Sequence, residues 1–177
     1  MGFVGIDPST NTGFVRLDKD GNVLEEKVIN GVGKEDPYRM ITLVDNIMKE
    51  LQPGDYITIE SPANHSKGSY ISQMFGIAWA IRIQLMRIGI KYIDVAPSQV
   101  KKFATGKGNA PKDQMILPLS KKWGFENRND NIRDAYVLAR IGLNLHEREQ
   151  GYVFLTDGSK YEVEVIDALY EKLEKPF

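Results

Sequence analysis

The sequence contains no cysteine and only two histidines among its 177 residues. The lack of cysteine excludes a disulfide framework and a thiolate metal site, and it fits a reducing compartment. The two histidines, His65 and His146, are too few for a zinc site built on imidazole ligands. Two common classes of stabilising or catalytic site are thereby excluded.

The sequence also has little that suggests a membrane or secretion. The longest apolar stretch, Phe75–Ile90, includes Arg82 and Arg87, so it is too short and too charged to span a bilayer. The first three residues run directly into a predicted strand, with no basic region of the kind that opens a signal peptide. We therefore expect a cytoplasmic protein with no membrane partner.

An excess of charge of one sign is missing as well, since the formal net charge is -1. This balance argues against a chain that coats nucleic acid through bulk basicity. The charges are unevenly distributed, however, because the segment from Lys101 to Arg128 has seven basic residues and two acids. The basic residues are Lys101, Lys102, Lys107, Lys112, Lys121, Lys122 and Arg128. Such a segment fits a phosphate-binding edge, although a solvated helix face is the alternative for Lys121 and Lys122.

Two acidic residues each follow a predicted strand and precede a polar turn. Asp7 comes after the apolar run Phe3–Ile6 and before a turn rich in Pro, Ser, Asn and Gly. Glu60 ends the alternating run Asp55–Glu60 and precedes Ser-Pro. The simpler alternative is that these are turn-forming or ordinary surface acids, since the chain has 24 of them.

A third acidic group lies on a predicted helix near residue 130. Asp130 and Asp134 are one helical turn apart and share a face. Hard cations such as Mg²⁺ prefer oxygen ligands, and phosphate chemistry often uses two such ions about 4 Å apart. The three separated acidic groups therefore form a candidate site for divalent metal.

The order of predicted elements is three strands, a helix, a strand, a helix, a strand and further helices. This order is typical of the ribonuclease H fold, so we expect an α/β domain with a five-stranded mixed sheet flanked by helices. An apolar content of 42% is ample for the core of one domain. We expect one ribonuclease H-like domain over 1–148 and an appendage over 149–177. In the appendage, Tyr152–Leu155 and Tyr161–Val163 suggest a hairpin, followed by a helix over Val165–Leu173.

Four motifs, taken together, resemble those of RuvC-type Holliday junction resolvases, especially the compact versions of Gram-positive bacteria and their phages. The motifs are Val4–Gly13, Ile59–Glu60, Pro97–Lys101 with Gly106–Lys112, and Asn131–Ala135. They occur in the same order and at similar spacing as in that family. The resemblance extends over about residues 3–146.

The resemblance implies an Mg²⁺-dependent, homodimeric endonuclease that makes paired, symmetric nicks in a four-way DNA junction and uses no nucleotide cofactor. It also implies two ions, with Mn²⁺ as an expected substitute. By position, Asp7, Glu60 and Asp134 would be metal ligands, with Asp7 bridging both ions. Lys101 and Lys112 would correspond to the basic residues near the scissile phosphate.

The sequence departs from the family pattern in two places. Asn131 stands where the family has an acid or a histidine, so either Asp130 or Asn131 completes the predicted metal site. The aromatic wedge that some members carry after the glutamate is replaced by Ala63, with His65 and Tyr70 as candidate substitutes.

The candidate catalytic residues are Asp7, Glu60, Asp130, Asp134 and Lys112. The four acids among them are also the candidate metal ligands. The candidate DNA-binding residues are Lys67, Lys101, Lys102, Lys107 and Lys112.

Two other functions remain open at this point. A branched-DNA-binding protein without catalytic activity is one, and Asn131 is the residue that favours it. The other is an actin-like or sugar-kinase-like phosphotransferase, because these proteins also open with an acid followed by Ser or Thr and Gly. Such enzymes need two domains around a nucleotide, and 177 residues are too few for both.

Overall fold

The computed structural model describes residues 1–62, 70–151 and 158–173. The strands are β1 (Phe3–Asp7), β2 (Asn11–Leu17), β3 (Val23–Asn30), β4 (Tyr56–Glu60) and β5 (Tyr92–Val95). The helices are α1 (Tyr38–Glu50), α2 (Tyr70–Arg87), α3 (Pro97–Thr105), α4 (Ile116–Trp123), α5 (Asp130–Glu149) and α6 (Lys160–Leu173). Within these three described ranges, no helix has the length and apolar character needed to cross a membrane.

The five strands form one mixed sheet in the order β3-β2-β1-β4-β5. Strand β1 pairs antiparallel with β2, and β2 pairs antiparallel with β3. Strand β1 pairs parallel with β4, and β4 pairs parallel with β5. This topology confirms the predicted five-stranded α/β fold, and it places the carboxyl ends of β1 and β4 at one edge of the sheet.

Each face of the sheet is covered by helices over a separate apolar cluster. Val4, Ile6, Ile57 and Ile59 pack with α1 and α2 on one face. On the opposite face, residues such as Phe3 and Val15 pack with α3, α4, α5 and α6. Because side chains alternate along a strand, Asp7 and Glu60 point away from the face of Ile6 and Ile59 and toward that of α5.

Helix α5 approaches β1 and β2 very closely at two glycines. A Cβ atom on Gly5 would lie 1.9 Å from the carbonyl oxygen of Ala135, and one on Gly13 would lie 2.0 Å from that of Asn131. Neither contact leaves room for a side chain, so the backbones touch directly. Gly13 is paired with Asp7 in the β1–β2 ladder. The first turn of α5 is therefore held next to Asp7.

The C-terminal part differs from its predicted structure. Residues Tyr161–Val163, predicted as a strand, lie in the first turn of α6, and the other half of the predicted hairpin, 152–157, lies outside the described residues. The predicted helix over Val165–Leu173 is confirmed and starts earlier, at Lys160. Its buried Val165, Ile166 and Leu169 belong to the same apolar cluster as α5, so α6 packs onto the main core.

We expect Gly5→Ala to lower the free energy of unfolding by about 2–3 kcal/mol or more, because the added methyl group forces α5 away from the sheet. Gly76→Ala in α2 is a matched control. Among the described side chains, its Cβ would meet only the flexible end of Met40, and alanine is favoured over glycine in a helix by about 1 kcal/mol. Urea unfolding of both variants checks this. Equal stability of the two would contradict the close packing of α5.

Candidate active site

Asp7 ends β1 at the start of a turn that is held by its own side chains. The Thr12 hydroxyl donates to the carbonyl oxygen of Ser9 at 2.7 Å, and the backbone N–H of Asn11 donates to Ser9 Oγ at 3.1 Å. Asp7 itself is only 8% exposed. Burial, together with the negative charges of Asp134 and Asp130, raises its pKa to about 7, although Lys112 opposes the shift.

Glu60 ends β4 beside Asp7. Its neighbour Ile59 is paired with Ile6, so the two acids leave the sheet from adjacent parallel strands. Burial raises the pKa of Glu60 well above its usual value, and the charges of Asp7 and Asp134 raise it further. Lys112 and Lys101 have the opposite effect on this pKa. Both lysines therefore lie near enough to interact electrostatically with Glu60.

The backbone of Glu60 is fixed by a buried arginine that was not among the predicted site residues. Arg82 of α2 is 2% exposed, and its Nη2 donates to the carbonyl oxygen of Glu60 at 2.9 Å. The same guanidinium donates from Nε to Asp94 Oδ1 at 3.0 Å and from Nη1 to the carbonyl oxygen of Ala78 at 2.8 Å. Arg82 thus joins α2, β4 and β5 next to the site. An arginine within an apolar helix is the sequence signal that points to such a buried role.

Asp134 is delivered to the same place by α5. Burial raises the pKa of Asp134, and Asp130 adds to the rise, while Lys112 and Arg133 oppose it. The first turn of α5 is capped by Asn129, whose side chain accepts from the backbone N–H groups of Asn131 and Ile132. The structure therefore places Asp7, Glu60 and Asp134, which come from three distant segments, close enough for their charges to interact.

Lys112 provides a positive charge among these acids. Its Nζ lies 2.7 Å from Asp130 Oδ2 and 3.5 Å from Asp134 Oδ2. Burial lowers the pKa of Lys112, but the hydrogen bond to Asp130 and the nearby carboxylates outweigh burial, so the pKa is raised overall. The same hydrogen bond lowers the pKa of Asp130. Lys112 and Asp130 are thus charged near neutral pH, whereas Asp7 and Glu60 bind protons more readily than usual.

Asn131 has a structural contact that the sequence did not predict. Its side-chain Nδ2 donates to the carbonyl oxygen of Asn11 at 2.7 Å and to Ser9 Oγ at 3.3 Å. Asn131 therefore ties the first turn of α5 to the β1–β2 turn. An aspartate could not donate these bonds, which gives a physical reason for an amide at this position.

The predicted DNA-binding lysines are in different surroundings. Lys107 is exposed in the loop after α3, and Lys101 lies near Glu60. Lys102 forms an ion pair with Glu164 of α6. Lys67, together with the wedge candidates Ala63 and His65, falls outside the described residues, and the side chain of Tyr70 is also not described.

The acids of the site have the chemistry of a site for a hard cation, but their side chains are not arranged as ligands. Within the ranges 1–62, 70–151 and 158–173, no group of three or more His, Cys, Asp or Glu side chains is placed to hold a metal ion. Three of the four predicted ligands, Asp7, Glu60 and Asp134, are nevertheless carboxylates whose pKa values rise through burial and through repulsion by neighbouring acids. A divalent cation would offset this repulsion, as the Lys112 ammonium does in part. The donor set therefore fits a hard cation.

Most of this chain is similar to one family of known proteins. The model of the family described as "Crossover junction endodeoxyribonuclease RuvC" matches residues 3–139. The crossover junction endodeoxyribonuclease RuvC of a Sulfurovum strain is 28% identical over 148 residues, which cover 78% of this chain and 92% of that protein. The protein of the same name from Ehrlichia canis is 26% identical over 147 residues, with 78% and 94% covered.

Solved structures show the same fold. The structure of Thermus thermophilus RuvC has a TM-score of 0.65 and 18% identity, with 85% of this chain and 97% of that chain covered. The structure of T. thermophilus RuvC in complex with Holliday junction substrate has a TM-score of 0.62 and 19% identity, with 85% and 96% covered. Helix α6 lies beyond the residues that the family model matches.

The raised pKa of Asp7 predicts that the protein becomes less stable as the pH rises. Folding raises the pKa of this carboxyl from its ordinary value of 3.8 to about 7. The folded state therefore binds more protons between these values, and the free energy of unfolding falls as pH rises from about 4 to about 7. Asp7→Asn removes the part of this fall that comes from Asp7, while Glu60 and Asp134, whose pKa values are also raised, still contribute to it. At pH 8 in EDTA we expect this variant to exceed the wild type by on the order of 2–4 kcal/mol.

Denaturant unfolding at pH 5 and pH 8 measures this effect. Asp113→Asn, which removes an exposed carboxylate from the 3₁₀ turn Lys112–Met115, is the control and should change stability by less than about 0.5 kcal/mol. If the free energy of unfolding changed with pH in the same way for the wild type and for Asp7→Asn, the raised pKa of Asp7 would be contradicted.

Proposed function

Since the chain belongs to the family of the crossover junction endodeoxyribonuclease RuvC, whose model matches residues 3–139, we propose that it resolves four-way DNA junctions by hydrolysing phosphodiester bonds. The observation that carries this proposal is that Asp7, Glu60 and Asp134 come close enough for their charges to interact at one edge of the sheet, beside Lys112. The proposed nuclease domain is 1–148, with 149–177 as an appendage. Because the substrate is DNA, the proposed location is the cytoplasm.

The proposed cofactor is Mg²⁺, with two ions and with Mn²⁺ as a substitute. Asp7, Glu60 and Asp134 are the proposed ligands, together with Asp130. When bound, such ions activate the attacking water and stabilise the leaving oxygen of the phosphodiester. Asp130 is favoured over Asn131 as the additional ligand, because the Asn131 amide is engaged with the β1–β2 turn, whereas Asp130 is charged and accepts a hydrogen bond from Lys112 Nζ at 2.7 Å.

The lysines have separate proposed roles. Lys112 lies against Asp130 and Asp134 and would bind the scissile phosphate once metal ions neutralise these acids. Lys101, near Glu60, is the second proposed contact to that phosphate. Lys67 and Lys107 are proposed to bind phosphates further along the DNA strands. Lys102 is instead paired with Glu164 of α6.

Two observations disfavour the alternative functions that the sequence left open. The family match disfavours a phosphotransferase, because it is a match to endodeoxyribonucleases. Asn131, which favoured a non-catalytic protein, has a structural role in tying α5 to the β1–β2 turn. Its presence therefore does not require a decayed metal site.

The direct test is cleavage of a synthetic four-way junction. We expect cleavage with Mg²⁺, no cleavage in EDTA, and no requirement for ATP. Asp7→Asn should abolish cleavage and leave junction binding intact or tighter, because it removes a ligand charge and also lessens the repulsion of phosphate. Gel-shift and nicking assays on the same preparation measure both properties. Nicking by Asp7→Asn at close to the wild-type rate would contradict the proposed metal site.

The proposed assembly is a homodimer that pairs through the outer face of α2. The described residues of one chain offer one such group of acids, whereas paired symmetric nicks require two active sites. Trp79, Ile83 and Met86, which lie one turn apart along α2, are 55%, 50% and 67% exposed. An apolar stripe of this kind on a soluble protein favours a protein interface. Because Arg82 of α2 also fixes Glu60, pairing of two α2 helices would orient both sites.

We expect Ile83→Glu to convert the dimer to monomers, because it places a charge in the centre of an apolar interface. Leu24→Glu is the matched control, since Leu24 is 60% exposed on β3, away from α2. Sedimentation velocity at micromolar concentration measures the mass, and nicked-plasmid assays show whether the two cuts remain paired. A dimer of Ile83→Glu as stable as that of Leu24→Glu would place the interface elsewhere.

A further inference from the structure

Helix α6 lies beyond the family match and binds the basic segment through its acidic side chains. The ion pairs are Glu162 with Lys122 of α4, Glu164 with Lys102 of α3 at 2.8 Å, and Asp167 with Arg148 of α5 at 3.2 Å. Two of the seven basic residues between Lys101 and Arg128 are thus paired with one helix. The two pairs differ in exposure, because Glu162 is buried whereas Lys102 and Glu164 are accessible to solvent.

The pair of Lys122 with Glu162 is part of the packing of α6. Glu162 is 5% exposed and also accepts from the backbone N–H of Ser159 at 3.0 Å. Lys122 Nζ donates to Ser159 Oγ at 3.2 Å and lies 4.6 Å from the ring centre of Tyr161. Breaking this pair would leave a buried carboxylate without its cation, so Lys122 is committed to the fold.

The pair of Lys102 with Glu164 is open to competition. The two side chains are 38% and 47% exposed, and ion pairs this accessible are weak, because water and salt compete with them. A DNA phosphate at Lys102 would have to displace Glu164, and the displaced carboxylate would stay close by and repel that phosphate. The contact would therefore add nothing to the affinity while Glu164 is present.

Lys102 is also near the path of the proposed substrate. It follows Lys101 on α3, and Lys101 lies near enough to Glu60 to lower its pKa. Duplex DNA carries one negative charge per roughly 1.7 Å of its axis. A DNA strand that passes Lys101 at the active site therefore brings other phosphates within reach of a freed Lys102.

From these contacts we infer that Glu164 of α6 occupies Lys102 and keeps it from binding DNA, so that α6 limits the number of lysines that contact the substrate. The inference rests on the proposed function, because it requires DNA at the site. Helix α6 thereby lowers the affinity for DNA, and Lys102 would bind a phosphate only when Glu164 is removed.

The test is the salt dependence of binding to a fluorescent four-way junction in EDTA, between 50 and 200 mM salt. Glu164→Gln should steepen the slope of log affinity against log salt by about 0.9, and at 0.1 M salt it should tighten binding roughly eightfold. Lys102→Gln in the wild-type background should leave the slope unchanged. In the Glu164→Gln background the same change should restore the wild-type slope. Glu171→Gln removes one charge from an exposed position of the same helix and should have no effect on the slope.

Three results would overturn the inference. A flatter slope for Lys102→Gln alone would mean that Lys102 already binds phosphate in the wild type. Equal binding by Glu164→Gln and Glu171→Gln would mean that the pair does not limit DNA binding. In both cases junction binding by the wild type would leave the proposed function standing. A wild type with no salt-dependent junction binding would contradict the proposed function and, with it, the role of Glu164.

Discussion

The direct contact between the backbone of α5 and strands β1 and β2 is the constraint on which the site depends. Gly5 and Gly13 leave no room for a side chain at this contact, so α5 sits nearer to the sheet than ordinary side-chain packing allows. Asn131 adds a hydrogen-bonded tie between α5 and the β1–β2 turn. Asp134, on the next turn of α5, is consequently held beside Asp7 without depending on a flexible loop.

This rigid arrangement has an electrostatic cost. Burial and mutual repulsion raise the pKa values of Asp7 and Glu60, which means that their charged forms are disfavoured in the folded chain. Lys112 offsets part of the repulsion but is paired most closely with Asp130. The packing energy of the two apolar clusters therefore holds together acids that would separate if they were free. Such a conflict between stability and local charge is typical of functional sites.

The sequence predicted those parts of the structure that depend on local pattern. Strand-like runs that end in an acid predicted β1 and β4, and the parallel pairing of these strands brings Asp7 and Glu60 to one sheet edge, as a shared site requires. The contacts of Arg82 and Asn131 could not be predicted, because they join segments far apart in the chain. The error at Tyr161–Val163 has another cause. Alternation of apolar and polar residues over three positions fits a strand, but contacts of α6 with α3 and α5 favour the helix.

Arg82 shows how the outer face of α2 and the active site are connected. Its guanidinium donates to Glu60, Asp94 and Ala78, so it is held from three elements at once. The bond to Glu60 is made to the backbone carbonyl, which leaves the Glu60 carboxylate free to point toward α5. The proposed dimer contact at Trp79, Ile83 and Met86 would therefore lie on the same helix as the arginine that holds the end of β4. One buried side chain thus stands between that surface and the strand that carries Glu60.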